Sequence, residues 1–438
     1  MAEKVERYLA KKKGSATSDV ADIWQKLEQL YTKKLAATFF FIRFVQILKM
    51  AEKVERYLAK KKGSATSDVA DIWQKLEQLY TKKLWHQLTV ELKVVIYQES
   101  FTKSIDLKDF YENFIKEFEH RINPLQLVEI VMPVAKSIFN KNKESAYEFL
   151  SKIEKTVSKD KQAVVRVWTG QIELRLLHKD KAERCVDIQL IRQMVEDTQA
   201  KLDDLPGVTP VHAPFYKVSA VYLKEIGNYA GYYREALRYL GCEDQSKLSQ
   251  SEKQMQAVLL GFAALLGENI YNFGELLAHP ILKALEGTHE KWLVDVLFAF
   301  NSGDLNKFKR YKPQWSEWDD IKKHTDFLED KIRLLCLMEI ALARPSKERY
   351  ITFNEIAKRA QIDKSKVEFL VMKALSKGLV QGSIDQVNQL INITWVQPRV
   401  LSPQQILAMS DRIGTWGKDV DSMETIVKDN AKDILTKA

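Results

Sequence analysis

Residues Tyr350–Trp395, YITFNEIAKRAQIDKSKVEFLVMKALSKGLVQGSIDQVNQLINITW, decide the fold of this chain. Tyr350-Ile351-Thr352 has the aromatic and β-branched character of a short strand, and Asn354-Glu355-Ile356-Ala357 starts a helix. After Ile362-Asp363-Lys364-Ser365, a second helix over Lys366–Lys377 sets Val367, Leu370, Val371, Ala374 and Leu375 three and four apart, on one apolar face. Gly378 closes that helix. Leu379–Asp385 and Leu390–Trp395 then read as two strands joined by a turn. Helix, turn, helix and a two-stranded wing is the winged-helix order, and the agreement of the pieces is a stronger signal than any one of them.

Upstream of this segment, Pro345 ends a strongly apolar helix over Asp330–Ala343. For most of the preceding chain one pattern repeats. Phe110, Phe114 and Phe118 recur four apart, Pro124 can begin a helix, and amphipathic stretches follow at Ala146–Val157, Lys161–Leu177, Ala182–Leu202, Phe215–Ile226 and Tyr229–Leu240. The breaks are short: Leu205-Pro206-Gly207, Gly227-Asn228, Gly241 and Ser302-Gly303-Asp304. With only 16 Gly and 10 Pro in 438 residues, composition also favours helices over a turn-rich β fold. The expected architecture is mainly α, a helical-hairpin (TPR-like) array leading into the winged helix.

Downstream, a last helix begins at Ser402-Pro403. Ile406, Met409, Ile413, Trp416, Val420, Met423 and Val427 alternate spacings of three and four along it, the stripe of a bundle-forming helix.

The N-terminus is written twice: Met1–Leu35 recurs letter for letter as Met50–Leu84, exposed lysines included. Repeats that stack share packing positions and diverge elsewhere, so this identity reads as a duplication rather than a solenoid, and Met50 as the start of the fold. The intervening residues 36–49, AATFFFIRFVQILK, are too short to span a bilayer and lack the form of a signal peptide. Residues 1–49 hold 10 basic and 5 acidic side chains, so without them the net charge falls from +9 to +4 and the basic bias largely goes.

Chemistry is hard to find. Gly414-Thr415-Trp416-Gly417-Lys418 has the wrong spacing for a phosphate loop. Seven histidines are scattered singly, the nearest pair ten residues apart, which gives no metal site. Asp203-Asp204 and Asp319-Asp320 read as solvated loop or cap positions. Cys185, Cys242 and Cys336 form no CxxC pair, which points to a reduced, intracellular chain, and Cys336 within Leu334–Met338 reads as a core residue. No cofactor is implied. The Lys60-Lys61-Lys62 run reads as a solvated helix end. Lys364, Lys366, Lys373 and Lys377 could touch phosphate, yet residues 363–378 hold no Arg or Asn for base contacts, and Gly382–Thr394 has no basic residue. The wing therefore favours protein assembly through a strand edge, with Ile391 and Ile393 as candidate contacts, over reading nucleic acid.

From about residue 69 onward the chain resembles the PCI-domain proteins, in particular those of the proteasome lid. The resemblance runs through LYTKKLWHQL (Leu79–Leu88), FYENFIKEFEHRINPLQLVEI (Phe110–Ile130), LPGVTPVHAPFY (Leu205–Tyr216), ALRYLGC (Ala236–Cys242), GFAALLGENIYNFGELLAHPIL (Gly261–Leu282), FNSGDLNKF (Phe300–Phe308), LVMKALSKGLVQGSIDQV (Leu370–Val387) and WVQPRVL (Trp395–Leu401). It implies a noncatalytic scaffold subunit of the 19S regulatory particle lid, found in cytoplasm and nucleus and supporting ATP-dependent degradation of ubiquitinated proteins. The implied partners are other PCI subunits, MPN-domain lid subunits, the ATPase ring and a ubiquitin receptor, without membrane contact. The expected layout is a duplicated segment at 1–49, a helical arm at 50–245, a PCI domain at 246–400 with its winged helix at about 346–398, and a bundle helix at 401–438. Ile406, Met409, Ile413, Trp416, Val420, Met423 and Val427 are its candidate intersubunit contacts. Another PCI complex, of signalosome or translation-initiation type, and a nucleic-acid-binding winged-helix protein are the alternatives.

Overall fold

The computed structural model describes residues 54–63, 67–179, 185, 187–244, 246, 248–345, 349–400 and 403–430, so the duplicated segment 1–49 lies outside the described residues. The chain divides into two compact units, one running to Leu177 and including Glu196–Pro206, the other made of His178–Val195 and the chain from Gly207 on.

In the first unit a helical run over residues 54–63 is followed by α1 (Ser67–Thr81), α2 (Trp85–Ile96), α3 (Pro124–Lys141), α4 (Lys143–Val157) and α5 (Lys161–Leu177). Asn123 and Asn142 cap α3 and α4 by accepting from the amides of Leu125 and Ser145. Consecutive helices pack as hairpins: α1 on α2, α3 on α4, with α5 against both α3 and α4. Residues 107–118 are one helical stretch interrupted by a π-helical turn at Tyr111–Ile115. Phe110, Phe114 and Phe118 are all buried there, their successive ring centroids 5.3 and 5.1 Å apart, which is what their four-residue spacing predicts. Of the lysine run, Lys62 pairs with Glu77 at 2.9 Å and Lys61 with Asp109 at 3.5 Å, as a solvated helix end does.

After α6 (Ile188–Asp203), which begins later than its sequence pattern suggests, come α7 (His212–Ile226), α8 (Tyr229–Cys242), α9 (Gln250–Leu266), α10 (Lys291–Ser302) and α11 (Thr325–Leu342). Ser249 and Glu252 close a capping box at the start of α9. Gly227 and Gly303 end α7 and α10 in the left-handed region, at φ 79° and 65°. At Gly303 a Cβ would lie 2.5 Å from the Cys336 Cα, so glycine also permits the close approach of α10's end to α11.

The quoted segment folds as β1 (Tyr350–Thr352), α12 (Phe353–Ala360), α13 (Lys364–Ser376), β2 (Val380–Asp385) and β3 (Leu390–Val396), a winged-helix-like module. Its antiparallel sheet has the order β1-β3-β2. Ile391 pairs with Ile351 on one side and Ile384 on the other. A bulge at Gln381/Gly382 brings the strands so close that a Cβ on Gly382 would sit 2.1 Å from the Asn392 carbonyl oxygen. α11 packs on α10, α12, α13 and β3, and one core cluster runs unbroken from Ala213 to Val396. The last helix, α14, spans Pro403–Asn430.

Candidate assembly surfaces

The wing offers its edges differently from the sequence reading. Because β3 is the middle strand, both of its hydrogen-bonding sides are taken. Ile391 and Ile393 are each 1% exposed and belong to the module's own core, so as direct intersubunit contacts they are corrected to core residues. Apolar strand residues at period two face inward when one side of a small sheet is covered by helices, here α11, α12 and α13. Among the described residues the edge strands are the three-residue β1 and the longer β2, whose Gln381, Gly382 and Ser383 are exposed.

The recognition-helix position is occupied by α13. Lys373 is held by Asp330 at 2.8 Å and Lys377 donates to Asn269 Oδ1 at 3.2 Å, so two of the four lysines serve their own unit. Glu368 accepts from Gln386 of the wing turn at 3.2 Å. The outward face instead carries Phe369, 70% exposed, and Met372. These two were missed in the sequence, where their spacing of three, off the main apolar stripe, was the available signal.

On α14 every candidate contact is exposed: Ile406, Met409, Ile413, Trp416, Val420, Met423 and Val427 lie between 48% and 68%, with Leu407 and Ile426 beside them. No intramolecular surface covers this stripe among the described residues. An apolar stripe of that length is unfavourable in water, and this one runs from Ile406 to Val427 along a 28-residue helix.

Groups that could do chemistry are placed structurally. Burial pushes the Cys336 thiol up to about 11, which keeps it protonated and unreactive. Among the described residues no three His, Cys, Asp or Glu side chains gather to hold a metal ion, and no helix is long and apolar enough to cross a membrane. The most unusual polar group is Lys331 on α11, 2% exposed. Its Nζ donates to the carbonyls of Ala264, Leu265 and Gly267 at 2.7, 2.9 and 2.8 Å, closing the C-terminal turn of α9. The rings of Tyr271, Phe273 and Phe327 surround it at 5.4–5.9 Å. Desolvation, with a smaller contribution from Lys377, brings this ammonium down to about 7.

A family profile described as PSD13 N-terminal repeats matches residues 72–297, and one described as PCI domain matches residues 308–395. The chain is 36% identical over 357 residues to the 26S proteasome non-ATPase regulatory subunit 13 of Dictyostelium discoideum, covering 80% of this chain and 91% of that one. It is 37% identical over 352 residues to homolog A of the same subunit from Arabidopsis thaliana, covering 78% and 88%. With the 26S proteasome regulatory subunit RPN9 of Saccharomyces cerevisiae it shares 31% over 356 residues, again 78% and 88%.

Proposed function

The chain belongs to the PCI-domain family of 26S proteasome non-ATPase regulatory subunit 13, and from that premise we propose that it is a noncatalytic scaffold of the 19S regulatory particle lid. It joins other PCI subunits and MPN-domain subunits, and through them the ATPase ring and a ubiquitin receptor. In this reading it supports degradation of ubiquitinated proteins in cytoplasm and nucleus.

The observation that carries the reading is the bare apolar stripe of α14. Burying one large apolar side chain contributes roughly 1.5–3 kcal/mol, so seven of them supply ample drive for entry into a helical bundle shared with neighbours. The free edge of β2 supplies a second contact by strand addition, in place of Ile391 and Ile393 themselves. The layout proposed is an arm at 50–245, a PCI domain at 246–400 with its winged helix at about 346–398, and an assembly helix at 401–438. Residues 1–49 are dispensable, because the second copy already supplies every side chain of the first.

Tagged full-length chain is expressed in cells and copurified lid and ATPase subunits are quantified, beside truncations lacking 1–49 or ending before Pro403. The reading expects stoichiometric lid and ATPase subunits with the full chain and with the 1–49 deletion. Strong loss is expected without α14, while thermal melting shows the remainder folded. Wild-type incorporation without α14 would sink the shared-bundle reading; loss on removing 1–49 would refute dispensability.

A further inference from the structure

The second copy of the duplicated stretch packs against residues that follow the duplication. Its Val54, Leu58, Trp73, Leu76 and Tyr80 are each at most 8% exposed. The Trp73 ring lies 5.5 and 5.6 Å from those of Phe101 and Phe110, and the Tyr80 ring 5.8 Å from both Trp85 and Phe114. Polar contacts fix the register. The Tyr57 hydroxyl donates to Asp109 Oδ2 at 3.1 Å, the Tyr80 hydroxyl donates to Glu117 Oε1 at 2.9 Å, and Lys75 pairs with Glu91 at 2.8 Å. These rings and acceptors, all between Trp85 and Glu117, wall a groove that lies outside the repeated stretch and belongs to neither copy.

The same apolar side chains recur in the first copy as Val5, Leu9, Trp24, Leu27 and Tyr31, and the same polar ones as Tyr8 and Lys26. Two segments of identical sequence have the same intrinsic affinity for one surface, so the contacts themselves cannot choose between them. Only the connection to the rest of the chain can. The second copy reaches α2 through the short turn Lys82–Leu84. With the first copy seated and Leu35 in the place of Leu84, residues 36–84 would have to close as a loop before Trp85. The entropy of closure grows with the logarithm of loop length, which disfavours the first copy by a factor on the order of 100. The structure shows that preference, with the second copy in the groove. A single large-to-small substitution in a core removes as much or more.

We propose that residues 1–35 are a reserve ligand for this groove. The two copies compete for it within one chain: the second holds it in all but roughly one molecule in a hundred, and the first takes it when the second is damaged. The inference goes beyond the scaffold reading and leaves it intact, because with a sound second copy the loss of residues 1–49 leaves the groove filled. It makes the start of the first unit tolerant of substitutions that would otherwise unfold it.

Amide hydrogen exchange of the full-length protein, read by mass spectrometry, tests this. Peptides from α2 and from residues 107–118 report whether the groove is filled, whichever copy fills it. Wild type is compared with Leu27→Asp, Leu76→Asp and the double variant. Leu27→Asp should exchange as wild type does. Leu76→Asp should exchange at α2 no more than about a hundredfold faster than wild type, and the double variant at least about tenfold faster again. In Leu76→Asp the peptide carrying the change should lose protection while the corresponding peptide around Leu27 gains it, the substitution itself distinguishing the two by mass. Trp24→Ala and Trp73→Ala, alone and combined, should repeat the pattern if the aspartate variants aggregate. Equal exchange at α2 in Leu76→Asp and the double variant, or a double variant as protected as wild type, would overturn the proposal. Faster exchange in Leu27→Asp alone would overturn the ranking of the copies. Protection in Leu76→Asp that rises with protein concentration, with a dimer in sedimentation, would overturn competition within one chain in favour of segment exchange between two.

Discussion

Replacing Lys331 by Met keeps a stem of similar length and removes the ammonium, leaving the carbonyls of Ala264, Leu265 and Gly267 facing an apolar interior. A buried polar group stripped of its partner costs roughly 1–3 kcal/mol, while relief of the charge's desolvation returns part of the total. The expected net loss at pH 7 is about 3 kcal/mol, which for a unit of this size lowers the melting temperature by roughly 6–12 °C. Urea unfolding and thermal melting followed by circular dichroism measure it. The pH dependence has a definite sign. Folded Lys331 titrates near 7 and the unfolded side chain near 10.5, so between those values the unfolded state holds a proton that the folded state has shed. Stability therefore rises with pH across that window, at up to about 1.4 kcal/mol per unit, and is flat below it. The difference in unfolding free energy between wild type and Lys331→Met should widen from pH 7 to pH 9. A variant melting within about 2 °C of wild type would refute the capping argument. A difference that stays constant or shrinks with pH would refute the desolvation argument.

Gly303→Ala should destabilise the second unit by about 2 kcal/mol or more, because a left-handed φ and a backbone atom 2.5 Å from the new Cβ leave no compliant neighbour; urea unfolding reads this. Ile391→Ala should cost roughly 2–5 kcal/mol in the isolated chain, as expected for a core residue rather than an interface one. Trp416→Ala should leave the isolated protein's unfolding free energy within about 0.5 kcal/mol of wild type and weaken copurification of lid subunits, the two readouts separating a surface from a core role. Cys336 should resist a thiol reagent at pH 8 in the native protein and react after unfolding, since burial both shields it and holds its thiol near 11.

Local regularities of the chain carried the elements. Phe110, Phe114 and Phe118 announced a buried helical stripe, the stretch from Tyr350 to Trp395 announced its strands and helices, and the three-four spacing from Ile406 to Val427 announced α14. Strand order was not legible, because the alternation of Leu390–Trp395 says which residues share a face and nothing about which strand lies between the others. That is why Ile391 and Ile393 were assigned to an edge and are found in the centre. Lys331 was invisible for a related reason: its three acceptors lie 64–67 residues away in sequence, on an element that periodicity cannot bring alongside.

The unbroken core from Ala213 to Val396 has a mechanical consequence. Ten of the eighteen residues of α11 are buried on every side of the helix, gripped by α10, α12, α13 and β3 together. A hinge requires a few positions whose dihedrals can change without breaking packed contacts, and such a helix offers none. In the proposed assembly a neighbour pulling on the β2 edge would exert a torque that α11 passes to α10 and, through the Lys331 clamp, to the end of α9. The wing and the helices beneath it would then tilt together as one lever, with strain applied at one end delivered at the other.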